Sequence, residues 1–337
     1  MWHAIFRRLL GALPSLAGVV VVTFILMRAL PGDPAAFFAG AAATPEAVEE
    51  VRKRMGLDQN LAQQFIRYLS ELARGDLGQS LTTGQPVSTE IVTRLPASLE
   101  LTLSGLLLAA VIAIPLGVLA ATHQNSWIDH LSRAVTTAGV SLPIFFTGLL
   151  LIYIFYFKLG WAPPPIGRLD PYVSEPARFT GFYLIDSLIA RDLGVFTASL
   201  KQLVLPSITI AIFVMAPLAR MTRAAMLGAL SSDYVRTARA LGLSRTTVVY
   251  RYALQNALLP VVTTLGMVFS FLLGANVLVE KVFSWPGIGS YAIEALVSSD
   301  YAPVQGFVLT MAVLYVVLNL GIDLLYSVID PRVGIAQ

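Results

Sequence analysis

Six arginines, Arg220, Arg223, Arg236, Arg239, Arg245 and Arg251, share a stretch with a single acid, Asp233. Charge of that density in an otherwise apolar chain points to recognition of anionic lipid or of a protein, not to catalysis. Signatures of catalysis are missing. There is no G-x-x-x-x-G-K-[ST] loop to cradle phosphates, no H-E-x-x-H and no G-x-S-x-G. The chain has no cysteine, which excludes disulfides, thiolate metal sites and cysteine nucleophiles. Its three histidines are His3, His123 and His130. The last two share a short loop, but their spacing is not i, i+4 and no third ligand is near. They read as solvated loop residues. No pair of carboxylates is placed for acid–base work, so no catalytic, cofactor or metal residue is assigned to this chain.

Few polar groups fall inside the apolar runs. Asn276, Asn319 and Asp323 are the candidates, and ionisable groups at such depth are functional candidates by default. Asn319 and Asp323 stand one turn apart on the same helix face. Asp323, near the inner end of its run, reads as the structural partner of a nearby arginine. Arg28, Glu280 and Lys281 fall at expected outer ends, where long side chains can snorkel. A path this poor in buried charge disfavours a proton- or sodium-driven carrier.

The elements that must position these groups are membrane helices. The chain is 56% hydrophobic and 13% charged over 337 residues, against about 25% charged in a soluble domain. Six runs reach the length a crossing needs: roughly 9–30, 98–121, 135–159, 201–224, 257–280 and 304–327. The first is too long for a signal-peptide core and is expected to stay as a helix. Arg7 and Arg8 precede it, Arg332 follows the sixth, and the arginine-rich loop lies between the fourth and fifth. The bias of basic residues puts both termini and that loop in the cytoplasm. Pro115, Pro143, Pro206 and Pro217 fall within or beside the runs and predict kinks.

Three segments are left outside. Pro31 to Leu95 carries helix signals. Thr44 caps a helix with Pro45 in its first position and Gly56 at its end. Asn60 caps a second helix, whose Leu61, Phe65, Leu69 and Leu72 form one apolar stripe and after which Gly75 follows. These helices are expected to pack on each other and on the membrane bundle. Gly160 to Leu200 opens with WAPPP. The third segment holds FSWPGIG, where Pro286 and Gly287 form a turn signal and Trp285 serves either as an interfacial anchor or as a partner contact.

Within the basic loop, Ser231, Ser232 or Asp233 can cap a helix that runs to about Leu241. Gly242 then supplies a left-handed stop, and Leu243 folds back on the helix. Ser244 can cap a second helix leading through Arg251 into the fifth run. Arg236 and Arg239 share one face, Val235 and Ala238 another. This arrangement suits either a groove on a partner protein or a lipid-headgroup anchor.

The stretch YVRTARALGLS…ALQNALLPVVT resembles the cytoplasmic "EAA" loop of permease subunits of binding-protein-dependent ATP-binding cassette importers. The general pattern is met only in part: Arg236, Thr237 and Ala238 stand where Glu-Ala-Ala is usual. The departures match the peptide-permease branch. ALPGDPA, GLDQNLAQQFIRYLSELARGDLGQSL, RLPASLELTL, VSLPIFFTGLL, EKVFSWPGIGSYAIEAL and DLLYSVIDPRV are similar to that branch along nearly the whole chain. TGFYLIDSLI is similar to the dipeptide-type members.

The resemblance implies an all-α polytopic membrane protein with six transmembrane helices. The fold would be the type I importer permease fold, with a small helical extracytoplasmic insertion after the first helix. It divides into residues 1–30, an outer helical domain at 31–95 and a permease core at 96–330, with a coupling loop at 225–256. It also implies a coupling helix that contacts an ATPase: Asp233, Tyr234, Val235, Arg236, Thr237, Ala238, Arg239, Ala240, Leu241, Gly242 and Leu243. Implied partners are a second homologous permease, two ATPase subunits that hold ATP and Mg, an extracytoplasmic substrate-binding protein that touches Trp285, Pro286 and Gly287, and membrane lipid. The expected location is the cytoplasmic (inner) membrane of a prokaryote, and the expected cargo is dipeptides or short peptides. The same architecture with a nickel chelate, haem, glutathione or an oligosaccharide is the alternative; an independent carrier, a channel or a scaffold without transport fits less well.

Overall fold

A computed structural model describes the backbone of residues 2–29, 33–40 and 42–329, and side chains over 10–11, 13–29, 33–40 and 42–322. Among the described residues the protein is helical, without strands; a lone antiparallel bridge joins Gln79 and Pro86. The chain divides into two compact units, Met1–Ala97 with Pro286–Val317, and Ser98–Trp285 with Leu318–Gln337.

The first unit begins with α1 (Trp2–Ala29). Three short helices follow: α2 (Pro34–Ala39), α3 (Pro45–Met55) and α4 (Leu61–Ala73). Their ends obey the local signals. Thr44 Oγ1 accepts from the Ala47 N–H, Gly56 closes α3 at φ +68°, and Asn60 Oδ1 accepts from the Gln63 N–H. After α4, the Asp76 N–H reaches the Glu71 carbonyl while Gly75 sits at φ +77°. Asp33 caps α2 and is bound by Arg52 of α3 at 2.5 Å. The expected single stripe on α4 does not hold. Phe65 meets Phe24 of α1 edge-on at 5.0 Å and Tyr68 stacks on it at 5.8 Å, whereas Leu61 and Leu69 stay exposed. The face that packs is set by where α1 lies, one residue step around from the face the spacing favours. The unit is completed by the start of α5 (Val87–Thr122), by α13 (Ile288–Val297) and by most of α14 (Tyr301–Ile329).

The second unit is built on α9 (Leu193–Leu230). Around it pack α6 (Trp127–Val140), α7 (Ile144–Leu151), α8 (Tyr183–Ile189) and α12 (Gln255–Val282). The most apolar stretch of α9 is 67% buried, against 33% for α5 and 11% for α14. Its burial makes α9 the interior helix of the second unit. Small residues permit close approach: a Cβ on Gly117 of α5 would lie 2.6 Å from Thr222 Cβ and 2.9 Å from the Ala219 carbonyl oxygen of α9.

Four helices, α5, α9, Arg245–Val282 and Tyr301–Ile322, are long and apolar enough to cross a membrane among the described residues. The third expected crossing, 135–159, is not one straight helix. It breaks at Ser141 to Pro143 into α6 and α7, bent by 98°, and gives a fifth crossing when the pair counts as one span. Proline cannot donate to the helix ladder, and the residue before it is pushed out of helical geometry, so the break falls where Pro143 puts it. Pro206 and Pro217 are instead carried inside α9. Two π-helical turns appear that no spacing predicted, Ile152–Lys158 after α7 and Val248–Leu254 before α12.

Candidate functional site

The basic loop folds as expected in its backbone. Helix α10 (Asp233–Ala240) starts after Ser232, although the Ser232 hydroxyl turns back to the Ala229 carbonyl rather than capping. At the other end Gly242 adopts φ +76°. Its N–H reaches the Arg239 carbonyl at 3.0 Å and the Leu243 N–H reaches that of Ala238 at 3.3 Å. This paired closure needs a left-handed residue, which glycine supplies without a Cβ penalty. Ser244 caps α11 (Arg245–Thr247) by accepting from the Thr247 N–H. The helix then runs without interruption through the second π-helical turn into α12.

The apolar face of α10 is not placed as expected. Val235 and Ala238, read as a face for a partner's groove, are 0% and 3% exposed. They sit in a cluster with Val118, Ala121, Met226, Ala229, Val248, Val249, Ala253 and Ala257. The apolar face therefore seats α10 on α5, α9 and the π-helical turn of its own chain. Burying one such valine is worth about 2 kcal/mol. What remains outside is Asp233, Tyr234, Arg236, Thr237, Arg239, Ala240, Leu241, Gly242 and Leu243, with Leu241 75% exposed. Arg236 pairs with Asp233 at 3.3 Å on the open surface. Beside α10 a cavity of about 750 Å³ opens, lined by Thr122, His123, Leu227, Arg239, Leu243 and Arg245 among others.

Several residues that hold this region were not singled out in the sequence. Arg223, counted only as a positive charge, donates Nε–H and Nη2–H to the two carboxylate oxygens of Asp129, each at 2.7 Å. Asp129 is 0% exposed and also lies 3.6 Å from Arg133. The pair fastens the first turn of α6 to α9 shortly before α10 begins. Nothing local marks it, because its members are 94 positions apart.

A second polar assembly anchors the loop after Gly160. Arg168 donates to Glu100 at 2.5 Å and to the Gly181 carbonyl at 2.9 Å, and its guanidinium lies 3.5 Å from the Tyr183 ring centroid. Glu100 also accepts from the Leu184 N–H at 2.9 Å. Asp186 accepts from the N–H and hydroxyl of Thr180 and from the Gly181 N–H, at 2.7–2.8 Å. Burial works to raise the Asp186 pKa, but these donors outweigh it and hold the group below its ordinary 3.8. TGFYLIDSLI is thus a folded lock on α5. Glu100 falls inside the expected second span, and an ionisable group at that depth is the signal in the sequence that marks it.

The intramembrane candidates divide. Asn276 is 2% exposed and donates to Thr102 Oγ1 at 3.0 Å; one turn along, Ser98 donates to Glu280 at 2.5 Å. Glu280 is 1% exposed, so it does not snorkel to an interface. Two rungs thereby join α5 to α12. Arg28 does not reach freely to solvent either: its Nε–H meets Gln64 of α4 at 3.2 Å. Asn319 lies in α14. The side chain of Asp323 falls outside the described residues, as do those of Arg7, Arg8 and Arg332. In the FSWPGIG turn, Trp285 is 1% exposed and Gly287 is buried, while Ser284 and Pro286 are exposed. Trp285 is neither a surface anchor nor an open contact in this conformation, because the turn folds its indole inward.

Comparison with known proteins bears on the whole chain. Residues 113–335 match the model of the binding-protein-dependent transport system inner membrane component family. Residues 1–102 match the N-terminal model of binding-protein-dependent transport system membrane components. A probable D,D-dipeptide transport system permease protein of Escherichia coli (strain K12) is 45% identical over 333 residues, covering 99% of this chain and 98% of that one. A di/tripeptide transport system permease protein of Pseudomonas aeruginosa (strain UCBPP-PA14) is 45% identical over 335 residues, 99% of each. A glutathione transport system permease protein of Escherichia coli (strain K12) is 38% identical over 333 residues, 99% of each. A chain matched end to end in this way, with a glycine-capped helix seated between its long apolar helices, belongs to the binding-protein-dependent transport system inner membrane component family.

Proposed function

We propose that this chain is a permease of an ATP-driven importer and forms half of the path for dipeptides or short peptides. It pairs with a homologous permease, and the six-crossing arrangement has both termini and α10 in the cytoplasm. Two ATPase subunits hold ATP and Mg; a substrate-binding protein delivers cargo from outside. The observation that carries this reading is the division of α10 into a buried apolar face and an exposed face with Tyr234, Arg236, Arg239 and Leu241. A helix so divided is gripped by its own chain on one side and free to be gripped on the other. Displacement by an ATPase then moves α5, α9 and α12 through the shared cluster.

The cargo follows the two 45% identical relatives, whose printed names specify D,D-dipeptides and di/tripeptides. At the outer turn, Pro286 makes the contact with the binding protein while Trp285 and Gly287 brace it from beneath. Asn276, Asn319 and Asp323 supply polar groups within the spans. The test is co-expression with the neighbouring transport subunits, purification in mild detergent and reconstitution in vesicles. Two ATPases and a second permease should co-purify, and labelled dipeptide should enter only with ATP and binding protein. Uptake of glutathione alone would transfer the cargo assignment to that branch; uptake driven by an ion gradient without ATPase would overturn the reading.

A further inference from the structure

Helix α7 and the π-helical turn that continues it, Ile144–Lys158, are open along most of their surface. Phe145, Phe146, Leu149, Leu150, Tyr153 and Phe157 are each at least 40% exposed, and the first charge is Lys158 at the far end. One side is covered. Ile144, Thr147 and Gly148 are buried. A Cβ on Gly148 would lie 3.4 Å from Thr209 Cγ2 of α9 and 3.3 Å from Val282 Cγ1 of α12.

Two contacts fix how this segment lies on α9. Asp129 meets Arg223, and a Cβ on Gly139 would lie 3.0 Å from the Ile212 carbonyl oxygen. Ten residues forward along α6 thus answer eleven back along α9, so the two axes run nearly antiparallel. The 98° bend then sets Ile144–Lys158 crosswise to α9. Thr209, beside Gly148, is 21 residues from Leu230, where α9 ends before α10. That is about 32 Å of helix, close to the roughly 30 Å of a bilayer's hydrocarbon core. The segment therefore lies across α9 at the membrane boundary opposite α10.

An apolar surface this broad is not left in water. Helices meet in membranes over small residues, and Thr147 and Gly148 are already turned to α9 and α12. The open side carries Phe, Leu and Tyr. At its end Lys158 Nζ lies 5.6 Å from the Tyr153 ring centroid, and Trp161 is 75% exposed. Such groups settle at the level of lipid headgroups. We propose that Ile144–Lys158 lies flat in the leaflet opposite α10, with its open side in lipid, and that the chain crosses on α6 and does not cross again on α7. The proposal needs α9 to cross the membrane and is independent of the sidedness and partners proposed above.

The chain has no cysteine, so single nitroxide labels can be placed cleanly. The experiment reads label depth in phosphatidylethanolamine–phosphatidylglycerol vesicles holding the full-length chain with its co-purifying subunits. Collisions with oxygen are compared with collisions with a water-soluble nickel chelate. Phe146→Cys and Phe157→Cys are 11 residues apart on one helix face, as are Met267→Cys and Leu278→Cys at exposed positions of α12. The α12 labels should differ in depth by about 16 Å, and the Phe146 and Phe157 labels by less than about a third of that. Both labels of the α7 pair should collide with oxygen more than with nickel. Leu149→Cys and Tyr153→Cys give a second pair, expected to share that depth. A ramp of about 16 Å from position 146 to 157 would make α7 part of a crossing and overturn the proposal. So would labels open to nickel throughout, or immobilised labels shielded from both reagents, which would put a protein partner on this face. A flat α12 would overturn the spanning bundle and this proposal with it, whereas the importer reading stands or falls on uptake and co-purification.

Discussion

The guanidinium of Arg223 grips the carboxylate of Asp129 through two parallel hydrogen bonds of 2.7 Å, and Asp129 is fully shielded from solvent. Fork-to-fork geometry of this kind is directional; Asp129 left alone would be a buried, uncompensated charge, and Arg223, 21% exposed, a partly buried one. Asp129→Asn and Arg223→Gln should each lower the unfolding temperature by about 5 °C. The double variant should be no worse than the poorer single one, so the two effects should fail to add. A calorimetric or fluorescence-monitored double-mutant cycle measures this; full additivity would mean the pair contributes nothing as a pair.

Helix α10 has two faces with opposite expected sensitivities. Val235→Asp places a charge among Val118, Met226 and Val248, so α10 should leave its seat and ATPase co-purification should fall at least about tenfold. Arg236→Glu with Arg239→Glu changes only the open face. That variant should keep the wild-type unfolding temperature and still lose ATPase. If its ATPase binding is unchanged, the arginines act on lipid alone and the proposed coupling face is wrong.

Gly242 separates backbone strain from crowding. A Cβ there meets nothing within 4 Å, so Gly242→Ala costs only its left-handed conformation, about 1 kcal/mol. ATP hydrolysis should continue while uptake per ATP falls several-fold. Gly242→Asn, which tolerates the left-handed region, should recover most of the coupling. Equal defects in both variants, read from paired hydrolysis and uptake assays, would point to the missing space rather than to φ.

Asp186 sets a pH limit on the loop that follows Gly160. Its pKa is lowered on folding, because the Thr180 and Gly181 donors outweigh burial. The stability it contributes is therefore fully present above the ordinary value of 3.8 and is lost as pH falls through the lowered folded value. Exposed Trp161 lies in the same loop, and its fluorescence should report loop release only below about pH 4. Asp186→Asn turns an amide donor toward groups that already donate. It should loosen the loop at neutral pH and remove this acid transition; an unchanged titration would exclude Asp186 as its source.

Local signals were readable because they act within one helical turn. Thr44, Asn60 and Ser244 cap the helices their positions predict, and Gly242 stops α10, since each satisfies backbone groups of its near neighbours. Apolar run length likewise located the long helices, because a bilayer sets a minimum for each alone. The bend at Pro143 was half legible: proline announces a break but not whether the two halves stay collinear.

By itself, then, the sequence determined a helical, multi-spanning chain of the importer permease family and the place of its basic, glycine-stopped helix. Tertiary structure alone decided that Val235 and Ala238 face inward, that Trp285 is buried, that Glu280 lies beside Ser98, and that Arg223 and Arg168 find Asp129 and Glu100. Those partners are 94 and 68 positions apart. Hydrophobic spacing specifies which face of a helix is apolar, but what that face meets depends on how several helices pack around α9. A side chain's charge is written in the chain, and its counter-ion is chosen only when the helices close.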